Sequence, residues 1–96
     1  MKTVTKASLD LLVNLANDAG NWSGSPMLQI SKEERGNLTQ LKREKIVTTF
    51  KDDGVEFVSF SLAIGEGIKV TDGERAFDLT ISGDSYYPDV KITPVV

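Results

Sequence analysis

The spacing of apolar residues changes once along this chain, at Ile46. Before it, Ala7, Leu11, Leu12, Leu15, Ala16 and Ala19 recur at threes and fours, which places them in one stripe along a helix. After it, apolar and polar residues alternate, the period of a strand with one covered face. Helical spacing first and strand spacing afterwards predicts an α+β chain, with N-terminal helices lying against a mainly antiparallel sheet.

Thr5 is placed to cap a helix over residues 6–19, and Gly20 to end it in the left-handed conformation. Residues 21–26 (NWSGSP) are turn chemistry, with Trp22 expected to cover the end of the core. Met27 to Ile30 reads either as a brief strand or as the entry to the next helix. Ser31 followed by Glu34 has the form of a capping box, which opens a helix over residues 31–46 whose buried side is Leu38, Leu41 and Ile46. Gly36 interrupts it, at about 1 kcal/mol relative to Ala in a helix interior. A short helix, a turn at Gly36 and a second helix is the alternative.

Beyond Ile46, Thr48 and Phe50 alternate with Val47, Thr49 and Lys51, and a second run places Glu56, Val58, Phe60, Leu62 and Ile64 on one face. Asp53-Gly54 between these runs predicts a tight hairpin, because both residues tolerate the positive φ that such a turn requires. Gly65-Glu66-Gly67 breaks the strand. Residues 68–71 then meet residues 74–82 across Asp72-Gly73, a second hairpin, with Phe77, Leu79 and Ile81 pointing inward. Residues 83–89 (GDSYYPD) form a loop, and Val90 to Thr93 a last strand that Pro94 ends.

Ninety-six residues suffice for a single domain. The chain has neither cysteine nor histidine, which removes disulfides, thiolate metal sites, the commonest general base and the commonest metal ligand. Carboxylates are the acid–base groups left, and Asp52, Asp53, Asp72 and Glu74 sit in hairpin turns, where Asp serves turn geometry. Gly65-Glu66-Gly67 lacks the Lys and Ser/Thr of a phosphate loop, and the acidic loops lack the calcium-loop spacing. The expectation is a protein that is not an enzyme and holds no metal or cofactor. No apolar stretch approaches the roughly 20 residues of a membrane span, and residues 1–15 lack a signal-like segment, so a cytoplasmic location without a membrane partner is expected.

Charge is unevenly placed. The net value is -3, yet residues 32–51 carry six basic side chains (Lys32, Arg35, Lys42, Arg43, Lys45 and Lys51) against Glu33, Glu34 and Glu44. Residues 52–96 supply nine acidic side chains against three basic ones. At about 100° per residue, Leu38, Leu41, Lys45 and Glu34 fall on one side of a helix, and Lys32, Gly36, Thr39, Gln40 and Arg43 on the other, with Arg35 and Lys42 between. Such a face is ordinary on a solvated helix. Its side chains are also those that contact phosphates and base edges when a helix enters a major groove.

The run Asn37-Leu-Thr-Gln-Leu-Lys-Arg-Glu-Lys-Ile-Val47, followed by a strand, an Asp-Asp-Gly turn and another strand, resembles the recognition helix and wing of winged helix-turn-helix proteins, in particular small bacterial and phage types. The family pattern is Leu-x-x-Leu-basic-x-x-Gly-Ile/Leu-Val and then a hairpin. Leu38, Leu41, Lys42, Ile46 and Val47 match it, and Lys45 stands where the family usually has Gly. The resemblance implies a winged-helix-like core over residues 7–62, with an antiparallel β hairpin wing, and a C-terminal β extension over residues 63–96. It further implies a short strand near residues 27–30, a recognition helix in the major groove, and a wing at residues 51–55 near the DNA backbone. Two features depart from the family. Residues 20–37 leave little room for the helix that normally precedes recognition, and the wing carries Asp52, Asp53 and Glu56, which phosphate repels.

These readings leave two partners. A DNA-binding, transcription-regulating protein would engage double-stranded DNA through Lys32, Arg35, Thr39, Gln40, Lys42, Arg43 and Lys51, and a homodimer would suit that role. A protein-interaction module or inhibitor would instead engage a basic protein through Asp52, Asp53 and Glu56, with Tyr86 and Tyr87 as interface anchors or as turn-packing residues.

Overall fold

The computed structural model describes residues 1–19, 25, 28, 30–84 and 88–95. The expectations for Gly20, Trp22, Met27, Tyr86 and Tyr87 lie outside them. Among the described residues, two helices and six strands form a mixed α+β fold, with a four-stranded sheet and a separate two-stranded hairpin.

Thr5 caps helix α1 (Lys6–Asp18), its hydroxyl accepting from the Ser8 amide at 3.2 Å. The buried arc is broader than a single stripe. Ser8, Leu9, Leu11, Leu12, Leu15 and Ala16 are covered, whereas Ala7 is exposed. At the helical repeat these residues, with Ala19, span about 160°. The breadth follows from α1 being covered twice, by helix α2 (Arg35–Arg43) and by the four-stranded sheet.

Helix α2 starts later than the Ser31 capping box implies. Lys32 to Glu34 form a turn in which the amides of Glu34 and Arg35 donate to the carbonyls of Ser31 and Lys32, at 3.2 and 3.3 Å. Glu34 occupies the cap position and makes no capping bond with its side chain. The Glu33 carboxyl is held below its ordinary pKa by its own backbone amide and by the Ser31 hydroxyl, so Ser31 serves Glu33. Gly36 lies inside α2, and a methyl there would meet nothing within 4 Å.

The end of α2 is a Schellman turn. Ile46 N–H donates to the Leu41 carbonyl and Lys45 N–H to the Lys42 carbonyl, both at 3.0 Å, with Lys45 in the left-handed region at φ 60°. Only glycine enters that region without steric cost, so Lys45 holds this turn under strain.

Strands β2 (Val47–Asp52) and β3 (Val55–Phe60) pair antiparallel, from Val47 opposite Phe60 to Asp52 opposite Val55. Asp53 at φ 52° and Gly54 at φ 78° make the turn between them. Val47, Val58 and Phe60 are buried on the inner face. Leu28 N–H donates to the Glu56 carbonyl at 2.8 Å, so the segment ahead of α2 reaches β3.

The larger sheet has the order β1-β4-β5-β6, with β1 (Lys2–Thr3) parallel to β4 (Gly67–Thr71), and β5 (Ala76–Gly83) antiparallel to both β4 and β6 (Pro88–Pro94). The alternation in β5 buries Leu79 and Ile81, while Phe77 packs partly covered at the margin of the core. Arg75 ties this sheet to α1. Its Nη2 lies 2.9 Å from Asp10 Oδ1 and 3.1 Å from Asp72 Oδ2, at ionic distance without hydrogen-bond alignment, and its Nε donates to Asp72 Oδ2 at 3.1 Å.

Candidate nucleic-acid interface

Leu38 and Leu41 turn into the core and fix the roll of α2. By the helical repeat, Arg35, Thr39 and Arg43 then form a row four residues apart that runs from the flank of α2 to the side opposite the leucines, with Lys42 and Gly36 on either side of it. All five are exposed, as is Lys32 in the preceding turn. The C-terminal sheet meets α1 through β6, and the outer residues of α2 remain open to solvent.

Each predicted side chain has a definite place. Thr39 returns its hydroxyl proton to the Arg35 carbonyl at 2.9 Å. Lys42 Nζ donates to Thr49 Oγ1 at 3.4 Å, which leans the ammonium toward β2. Arg35 and Arg43 join no ion pair among the described residues. Lys51 is exposed on the hairpin, directly across from Glu56.

Gln40 differs from the expected outward position. It is half-buried and faces α1, where its Oε1 accepts from Thr5 N–H at 3.0 Å and lies 3.2 Å from Thr5 Oγ1. Thr5 Oγ1 also lies 3.0 Å from Ser8 Oγ, which donates to the Asn37 carbonyl at 3.4 Å. Gln40 and Ser8 thus lock α2 onto the start of α1.

Of the alternative partner set, Asp52 and Asp53 are exposed at the hairpin tip and Glu56 is half-buried. The sequence reading missed Phe50. It is 44% exposed and stacks on Phe57 across the strands, with ring centroids 5.5 Å apart and planes 19° from parallel. Alternation identified the two faces of β2 but carried no signal for which one the core would cover.

A recess of about 180 Å³ lies elsewhere, between the hairpin and the larger sheet, lined by Phe60, Leu62, Ile64, Ile81 and Val90 among others. Among the described residues no ionisable side chain lines it. Among the described residues no group of three or more Asp or Glu side chains could hold a metal ion, and no helix is long and apolar enough to cross a membrane. Compared with protein-family models, curated proteins and solved structures, the chain matches none.

Proposed function

We propose that the protein binds double-stranded DNA as a small, non-catalytic regulator, laying the outer side of α2 in the major groove. The observation that carries this reading is the exposed row of Arg35, Thr39 and Arg43, flanked by Lys42 and Lys32, on a helix with two buried leucines behind it. A helix fits the groove, guanidinium groups pair with phosphates and with guanine edges, and a Thr hydroxyl serves either. Gly36 and Thr39 keep the row low, so the helix axis can approach the bases closely. Gln40 contributes by holding α2 against Thr5. The hairpin, with Asp52 and Asp53 at its tip, stays away from phosphate.

The test is retardation of duplex DNA across a salt series. Each cation that neutralises a phosphate steepens the log–log slope of affinity against salt by about 0.9. Engagement of Lys32, Arg35, Lys42 and Arg43 gives a slope of about -3 to -4. Arg43→Glu lowers affinity and flattens the slope by about one unit. Absence of retardation at low salt, or an unchanged slope in Arg43→Glu, rejects the reading.

A further inference from the structure

The outer face of the hairpin differs in chemistry from the exposed side of α2. Side chains opposite one another in an antiparallel pair share a face, so the outer face of β2 and β3 comprises Thr48 with Ser59, Phe50 with Phe57, and Asp52 with Val55. Lys51 and Glu56 belong to the inner face. The outer face therefore holds a stacked aromatic pair and a carboxylate, with no positive charge among its six residues. A shallow recess of about 160 Å³ is lined by Ser25, Phe50, Asp52 and Phe57. Asp52 is exposed and joins no ion pair among the described residues. Asp53 adds a second negative charge at the adjoining turn.

Phe50 is 44% exposed in mid-strand and Val55, on the same face, 37%, so this face offers apolar area that a partner can remove from water. The complement of the exposed Phe50 ring beside a carboxylate is a planar, weakly hydrated cation that stacks and donates hydrogen bonds in its own plane. A guanidinium group meets that description, whereas an ammonium is compact, strongly hydrated and unable to stack. An anion is repelled. We propose that this face is a receptor for an arginine side chain in a basic segment of another protein. It is separate from the cationic side of α2 and does not depend on the DNA reading.

The experiment is a titration of the isotopically labelled full chain, followed by amide chemical shifts, with N-acetyl-arginine amide and with N-acetyl-lysine amide as the comparison. The expected result is a saturable change at Phe50, Asp52, Phe57 and Ser59 with the arginine compound, at a dissociation constant on the order of millimolar, and a weaker response to lysine. Phe50→Leu, which keeps the apolar volume and removes the ring, and Asp52→Asn each weaken binding about threefold. Asp52 is exposed, so its variant reads the site even where Phe50→Leu perturbs the hairpin. Equal responses to arginine and lysine overturn the proposal. So do shifts spread evenly over Glu66, Glu74 and Asp78, or unchanged binding in Asp52→Asn. A concentration-dependent dimer lost in both Phe50→Leu and Arg43→Glu overturns it too, by making the occupant a second copy of this chain.

Discussion

Thr5 and Gln40, thirty-five residues apart, are joined twice: the Gln40 carboxamide oxygen accepts from the Thr5 amide and lies within reach of the Thr5 hydroxyl. The cap of one helix thereby fixes the placement of the next. Gln40→Ala removes this acceptor from a solvent-accessible site, and the expected loss is about 1 kcal/mol of stability, read from urea unfolding. If α2 binds DNA as proposed, affinity falls with it while the salt slope holds, because no phosphate contact is lost.

Lys45 holds a left-handed backbone at the end of α2. For an L side chain that conformation costs about 1–2 kcal/mol, which glycine escapes, while glycine gives up about 0.5–1 kcal/mol through its freer unfolded chain. Lys45→Gly is therefore expected to stabilise the fold by about 0.5–1 kcal/mol. Lys45→Ala retains the strain and changes little, so comparing the two urea midpoints isolates the backbone effect.

Asp72 governs part of the acid response. The amide of Arg75, at 2.7 Å, and that of Glu74, at 2.9 Å, donate to its carboxylate and hold the carboxyl down from 3.8 to about 2. With the folded value below the unfolded one, the unfolded chain binds more protons between them, so this stabilisation is complete above about pH 4 and is lost as pH falls toward 2. The thermal midpoint should drop through that window. Asp72→Asn should lower the midpoint at neutral pH and leave a shallower decline below pH 4.

Local chemistry was legible wherever one segment decides its own conformation. Thr5 reads as a cap and is one, and Asp53-Gly54 reads as a turn and takes the two positive φ values that turn needs. Leu79 and Ile81 follow from alternation alone. Residues whose role is set by a distant neighbour were not legible in this way. Leu9 lies off the expected stripe yet is fully buried, because α1 is covered on two sides. Ser31 has the sequence of a capping box, but α2 begins at Arg35 and its hydroxyl goes to Glu33. For the candidate interface, the periodicity that buries Leu38 and Leu41 also turns Arg35, Thr39 and Arg43 outward. Gln40 escaped that logic because α1 lies against its flank, and Phe50 because alternation does not say which face of a two-stranded ribbon the core covers.

The parallel pairing of Lys2 with Val70 and Thr3 with Thr71, continued by the 2.9 Å bond from Val4 N–H to the Thr71 carbonyl, closes a circuit of nearly seventy residues. Contacts of such separation are entropically expensive to form and typically come late in folding. The surface on which α1 rests is built from strands made after both helices. A nascent chain ending near residue 62 thus has both helices and the hairpin, but not the sheet against which the other side of α1 packs. The helix that holds the cationic row in place, α1, is covered on its second side only once strands that carry no part of that row have closed beneath it.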